Sequence, residues 1–131
     1  MAVAGKRPIS PHLQVYKWGP HMLVSILHRL TGDGLGIGGA LIFLGWLGSA
    51  AAGAEAYARF VDLATSIPGR IVLILLTWGV LQHAASGVRH LLLDTGAGYA
   101  LPTNRSWSRV VAIAPAVMTA LLWAFILWRP M

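Results

Sequence analysis

The sequence predicts an all-α integral membrane protein with three transmembrane helices that run up, down and up through the bilayer. Its 131 residues are 56% hydrophobic and 11% charged, with a mean hydropathy of +0.67, which is too apolar for a soluble domain of this length. Three segments also lack Asp, Glu, Lys and Arg, and each approaches the ~20 residues that a helix needs to cross a membrane. These segments are 34–54, 71–88 and 110–128.

The chain divides into two expected domains, which are a cytoplasmic N-terminal arm, 1–20, and a three-helix membrane anchor domain, 21–131. Pro8 and Pro11 disfavour a continuous helix in the arm, and no apolar stretch before Lys17 has the character of a secretory signal. Pro20 suits the first turn of a helix. The spans are expected at about 21–51, 70–93 and 108–128.

The connections between the spans carry their own signals. Between the first two spans, apolar residues recur at helical spacing and charged residues share another face, which predicts a short amphipathic helix at the outer surface that Pro68 and Gly69 end. A loop is expected over 94–106, where Gly96, Gly98 and Pro102 lie. The third span carries no ionisable group between Arg109 and Arg129, and it is interpreted as a helix that packs and faces lipid.

Charge and cysteine content exclude several classes of function. The formal net charge is +6, but the basic residues form no continuous stripe, so no nucleic-acid partner is expected. The absence of cysteine excludes disulfides, thiolate metal sites, covalent haem attachment and thiol catalysis. Basic residues concentrate before the first span and around the second loop, which by the positive-inside tendency places the N-terminus in the cytoplasm. These residues are Lys6, Arg7, Lys17, Arg29, Arg89, Arg105 and Arg109.

Ionisable side chains in or beside membrane spans are functional candidates, because they are costly there. On the first helix, Ser25, His28 and Arg29 are spaced i, i+3 and i+4, which puts them on one face. The second helix carries an aligned set at offsets of four, seven and eleven, namely His83, Gly87, His90 and Asp94. Because consecutive spans are antiparallel, both sets lie at the cytoplasmic side and can share one pocket.

Depth in the membrane separates the possible roles of these residues. His83 lies six residues deeper than Arg89, or about 9 Å at 1.5 Å per residue. A neutral imidazole is tolerated there if it binds a metal, such as haem iron, or makes a hydrogen bond to a neighbouring helix. His28, Arg29, Arg89 and His90 are candidates for contact with haem propionates. The two arginines are alternatively interfacial anchors that snorkel to the membrane surface, and Arg29 alternatively pairs with an aspartate four residues further on.

Three segments together resemble the cytochrome b556 subunit of succinate dehydrogenase, the larger of the two membrane anchors of respiratory complex II. They are the arm Arg7–Leu13 (RPISPHL), the first-helix motif Ser25–Gly32 (SILHRLTG) and the second-helix motif His83–Asp94 (HAASGVRHLLLD). The resemblance covers nearly the whole chain, and the motifs occur in the right order. It implies a three-helix bundle that packs with a second, small anchor subunit.

The resemblance also implies roles for individual residues. His83 corresponds to an axial ligand of a haem b whose iron is shared with a histidine of the partner anchor. Ser25 and Arg29 correspond to residues that line a pocket for ubiquinone or menaquinone. His28 and His90, together with Arg29, correspond to the surroundings of the haem.

The implied partners are the second anchor, an iron–sulfur subunit and a flavoprotein subunit, with FAD and the iron–sulfur clusters held only in the last two. The isolated chain is expected to have no catalytic activity. A bacterial inner membrane is expected, because the chain begins with Met and has no transit peptide, and a mitochondrial inner membrane is the alternative.

Three other functions remain open at this point. The chain could be a structural anchor without a functional haem, or the anchor of a quinol-oxidising fumarate reductase. A small ion channel ranks last, because the charge-free segments of the three spans, 34–54, 71–88 and 110–128, offer no Asp or Glu for a carboxylate relay.

Overall fold

The fold is a bundle of helices, and it is described here from a computed structural model that covers residues 12, 14–15 and 17–128. The arm motif, apart from His12, therefore lies outside the described residues. No strand occurs in the part of the chain that the structure describes. The helices are α1 Pro20–Ala52, α2 Ala54–Thr65, α3 Ile67–Asp94 and α4 Leu101–Trp128.

The packing of the bundle is that of a membrane protein. Val24 is the only fully buried Val, Leu, Ile, Met or aromatic side chain among the described residues, whereas large apolar side chains such as Leu41, Leu75 and Leu121 are exposed. The buried polar side chains are Thr31, Gln82, Ser86, Arg89, Ser108 and Thr119. Lipid is as apolar as leucine, so small and polar residues fill the helix contacts while apolar ones face outward. Three helices, α1, α3 and α4, are long and apolar enough to span a membrane, which confirms the predicted fold class.

A π-helical segment, Leu35–Gly39, interrupts the regular hydrogen bonding of α1 near its middle. Leu35 of this segment packs against Gly79 of α3. Its Cδ2 atom is 3.6 Å from the position that a Cβ atom would take on Gly79. Segments of this kind are rare, and they occur mostly as single turns within longer α-helices, often near functional sites. The segment begins three residues after Gly32, the last residue of the first-helix motif.

The amphipathic helix predicted between the first two spans is present as α2, Ala54–Thr65. The predicted break at Pro68 and Gly69 lies instead at Ser66, whose hydroxyl oxygen accepts a hydrogen bond from the backbone N–H of Gly69 at 3.3 Å. Pro68 therefore stands in the first turn of α3. A proline is tolerated there because the first N–H groups of a helix have no intrahelical partner.

The third transmembrane helix begins at Leu101 rather than near residue 108. The charge-free segment 110–128 marks the part of the helix that can lie in hydrocarbon. The helix itself starts about two turns before residue 108, with Pro102 in its first turn. The loop before it is correspondingly short. Gly98 has φ 81°, and a Cβ atom there would meet the ring of Trp107 at 2.4 Å, so the loop needs glycine at this position.

Candidate functional site

Three histidines from α1 and α3, which we call the histidine cluster, lie side by side: His28, His83 and His90. The rings of His28 and His83 are stacked, with centroids 4.2 Å apart and planes 10° apart. The His28 and His90 rings are 5.5 Å apart and tilted by 42°. The structure therefore brings together the polar faces of the first two spans, as their spacing predicted.

The Nδ1 atom of His83 contacts α1 at two points. It lies 3.2 Å from the carbonyl oxygen of His28 and 3.2 Å from the Oγ1 atom of Thr31. The Thr31 hydroxyl donates to the carbonyl oxygen of Leu27 at 2.7 Å, so its oxygen has lone pairs left for accepting. Since a carbonyl oxygen can only accept, this contact favours the tautomer of His83 in which Nδ1 carries the ring proton and donates it. In that tautomer the lone pair of the ring is on Nε2.

Gly32 allows α1 and α3 to approach closely at the histidine cluster, whereas Gly87 leaves room there for a Cβ atom. A Cβ atom on Gly32 would lie 3.1 Å from Cε1 of His83, which is inside normal contact distance, and one on Gly87 would lie 3.8 Å from Nε2 of His28. His83 and His28 are half-buried and His90 is exposed. The cluster therefore borders the surface of the chain rather than its interior.

Ser25 and Arg29 lie one turn from His28 on the same helix. Ser25 is half-buried and Arg29 is exposed. Among the described contacts, neither side chain takes part in a hydrogen bond or an ion pair, and the suggested pairing of Arg29 with Asp33 is not formed. Their donor groups are available to a molecule bound beside α1.

Arg89 has a different environment from the one expected. Its Nη2 atom donates to Oδ1 of Asn104 on α4 at 2.7 Å, and the residue is only 7% exposed. The backbone oxygen of Asn104 in turn accepts from the Ser108 hydroxyl at 2.7 Å. Arg89 therefore joins α3 to α4. Its burial contradicts the expectation that it snorkels to the surface, whereas its contact with a haem propionate stays a prediction.

Thr31, which is 5% exposed, was not predicted as a site residue. A threonine in a helix usually satisfies its hydroxyl on the carbonyl four residues earlier, as Thr31 does with Leu27, so it attracts no attention. The available signal was its spacing, because Thr31 stands three residues after His28 and shares its face.

The cavities of the bundle lie away from the histidine cluster. A groove of about 320 Å³ between α1, α2 and α3 is lined by Ile42, Phe60, Leu63, Ala64, Pro68, Gly69, Val72 and Leu73. It presents no polar side chain that could orient a ligand. The groove therefore suits hydrocarbon rather than a polar head group.

A bare metal ion has no ready site in the described part of the chain. No group of three or more His, Cys, Asp or Glu side chains there is arranged so that it could hold a metal ion. A metal bound at His83 would therefore need most of its ligands from elsewhere, as haem iron receives them from its macrocycle.

Comparison with known proteins identifies the family. Residues 4–126 match the model of the succinate dehydrogenase/fumarate reductase transmembrane subunit. The chain is 35% identical over 118 residues to the succinate dehydrogenase cytochrome b556 subunit of Paracoccus denitrificans, covering 90% of this chain and 89% of the relative. It is 33% identical to that of Rickettsia bellii, covering 92% and 94%. The mitochondrial cytochrome b560 subunit of Mus musculus is 34% identical, covering 89% and 69%. This chain belongs to the succinate dehydrogenase/fumarate reductase transmembrane subunit family.

Proposed function

We propose that this chain is the larger cytochrome b membrane anchor of a succinate:quinone oxidoreductase and that His83 is an axial ligand of a b-type haem. The observation that carries the proposal is the 3.2 Å contact between Nδ1 of His83 and the carbonyl oxygen of His28. Because this contact keeps the ring proton on Nδ1, the lone pair that binds iron is on Nε2. Haem, when bound, supplies a one-electron redox centre.

The opposite axial ligand in this proposal comes from the second anchor subunit. His28 cannot serve, because its ring is stacked on that of His83 at 4.2 Å, which leaves no space for a macrocycle between them. The cluster opens toward the surface of the chain, where His90 is exposed. A partner helix packed on this surface can supply the missing histidine.

His28, His90 and Arg29 would surround the haem in this arrangement. The His28 ring is stacked on that of His83, the His90 ring is in contact with that of His28, and Arg29 is the next residue after His28 on α1. Imidazole N–H groups and a guanidinium are suitable donors for propionate oxygens. Their charge or hydrogen bonding would compensate the two carboxylates at the membrane margin.

The quinone site in this proposal uses Ser25 and Arg29. The Ser25 hydroxyl would donate a hydrogen bond to one oxygen of the head group. The Arg29 guanidinium would favour the negative charge that develops on a quinone oxygen during reduction. Both donor groups are uncommitted among the described contacts, which supports their assignment. The substrate would be ubiquinone or menaquinone.

Electrons would reach this site from soluble partner subunits. The proposed assembly contains a flavoprotein with FAD, an iron–sulfur subunit and the second membrane anchor. The iron–sulfur subunit would lie beside the face that carries Ser25 and Arg29. This chain would then contribute binding and electrostatic orientation, with no catalysis in isolation.

We place the N-terminus and the histidine cluster on the cytoplasmic side of a bacterial inner membrane, with the mitochondrial inner membrane as the alternative. The distribution of basic residues supports this orientation, since Arg105 and Arg109 accompany the α3–α4 connection at the same end as Lys17. Relatives of both bacterial and mitochondrial origin match the chain.

A quinol-oxidising fumarate reductase anchor is the second candidate function. The observation that favours it is the family description itself, which includes the fumarate reductase subunit. The same side chains would then bind quinol and electrons would flow in the opposite direction. Comparing succinate oxidation with fumarate reduction in the purified complex separates the two candidates.

The proposal is tested by a dithionite-reduced minus oxidised spectrum of the purified complex, recorded for the native chain and for His83→Ala. We expect a b-type α-band in the native complex and its loss in the variant. His21→Ala is the matched control, because His21 lies about 10 Å, or two turns, before His28 on α1. An unchanged band in His83→Ala would assign the ligand elsewhere. The absence of a band from an intact native complex would favour a purely structural anchor.

A further inference from the structure

We propose that Thr31 is a positioning residue that sets the orientation and donor strength of His83 toward the haem iron. This inference rests on the proposed role of His83 as a ligand. Thr31 is buried, and its hydroxyl oxygen is 3.2 Å from Nδ1 of His83. Neither family membership nor the motif spacing assigns this residue a role.

The hydrogen-bonding direction at Thr31 is fixed by its other contacts. A threonine hydroxyl has one proton, and the nearest acceptor is the carbonyl oxygen of Leu27 at 2.7 Å, compared with 3.1 Å for that of His28. The hydroxyl proton of Thr31 therefore points to the carbonyl oxygen of Leu27. This orientation directs a lone pair of the Thr31 hydroxyl oxygen toward His83. Thr31 acts on the imidazole as an acceptor.

Two acceptors thus share the Nδ1 proton of His83. The His28 carbonyl and the Thr31 hydroxyl both lie 3.2 Å away, on the same turn of α1. Gly32, the next residue, brings this turn against the edge of the ring. This turn of α1 fixes the rotation of the imidazole ring about its Cβ–Cγ bond. It therefore also fixes the direction in which Nε2 points.

The same contacts raise the basicity of the ligand. A hydrogen bond accepted from the distal ring nitrogen increases the electron density on the ligating nitrogen, and loss of such an outer partner typically costs 10–100-fold in metal affinity. A stronger donor stabilises the oxidised iron. Removing the Thr31 hydroxyl should therefore lower the affinity of the site for haem and raise the midpoint potential of the haem.

The test compares Thr31→Val, Thr31→Ser and His83→Ala in the complete membrane complex. Valine keeps the branched shape but lacks the acceptor, and serine keeps the acceptor. Thr119→Val is the matched control, because Thr119 is also 5% exposed and its hydroxyl also donates to the carbonyl four residues earlier, that of Pro115. The readouts are the rate of haem transfer to apomyoglobin and the midpoint potential from a redox titration.

We expect haem transfer about 10–100-fold faster in Thr31→Val, with a higher midpoint potential, and values within about twofold of the native ones in Thr31→Ser and Thr119→Val. Native behaviour of Thr31→Val, or equal loosening in Thr31→Ser, would overturn the role of the hydroxyl. If the valine variant does not assemble, Thr31→Ala against Thr31→Ser gives the same comparison.

The role of His83 is judged separately. Loss of the haem band in His83→Ala together with native behaviour of Thr31→Val would refute only the inference about Thr31. A native band in His83→Ala would refute the ligand assignment on which that inference depends.

Discussion

Replacing Gly32 by alanine tests how closely α1 and α3 must approach at the histidine cluster. The added Cβ atom would lie 3.1 Å from Cε1 and 3.6 Å from Nδ1 of His83. Carbon atoms in van der Waals contact are about 3.5–4.0 Å apart. The imidazole must therefore withdraw from α1 by at least several tenths of an ångström.

This displacement is enough to break the contacts of Nδ1. Both of its acceptors are at 3.2 Å, and a withdrawal of about 0.4 Å extends these distances to about 3.6 Å, where a hydrogen bond is no longer formed. Overpacking of this kind typically costs about 1–3 kcal/mol. The higher helix propensity of alanine offsets at most about 1 kcal/mol of this overpacking cost. We expect a net destabilisation of about 0–2 kcal/mol, and about 10–100-fold weaker haem binding if His83 is the ligand.

Gly34→Ala is the control, because a Cβ atom on Gly34 would have no neighbour within 4 Å. The assay is the haem absorbance per complex, followed as a function of added apomyoglobin, together with the thermal unfolding midpoint in detergent. The control should retain haem and unfold at the native temperature or slightly above it. Native haem retention and stability in Gly32→Ala would refute the close packing of α1 against His83.

Three further predictions concern other parts of the molecule. Asn104→Ala leaves the buried guanidinium of Arg89 without its acceptor and should destabilise the complex by about 1–3 kcal/mol in chemical unfolding; the exposed Arg105→Ala should change little, and equal effects would contradict the buried contact. Gly98→Ala should cost about 1–3 kcal/mol, because its positive φ and the covering tryptophan ring both exclude a Cβ atom; a native thermal midpoint would disprove this. Arg29→Ala should lower kcat/KM for quinone by about 10²-fold without loss of haem, whereas Arg105→Ala should retain native turnover; equal turnover in both variants would remove Arg29 from the quinone site.

The spans and the meeting of two polar faces follow from the sequence because they depend on local regularities. Hydropathy located three helices, and helical spacing together with antiparallel order brought His28 near His83. The start of α4 was missed because the absence of charge marks hydrocarbon, whereas a helix continues into polar residues such as Asn104 as long as its backbone is paired.

Side-chain direction was harder to predict than position along a helix. Arg89 follows a candidate ligand by six residues and precedes His90, yet it turns to α4, because a polar acceptor on that helix outweighs the nearby surface. The contact of Thr31 with His83 also depends on the distance between α1 and α3. The spacing of residues along one sequence does not predict that distance. Gly32 is the residue that permits the approach, and its role emerges only once the neighbouring ring is located.

The π-helical segment Leu35–Gly39 divides α1 into two halves with different angular phases. A π turn accommodates one additional residue, and at about 100° per residue this rotates everything beyond it relative to an uninterrupted α-helix. The half before the segment carries the turn that contacts His83. The half after it carries Gly45, which faces the ring of Phe60 on α2. Deleting one residue from the segment would return the helix to a single phase, so only one of these two contacts could be kept.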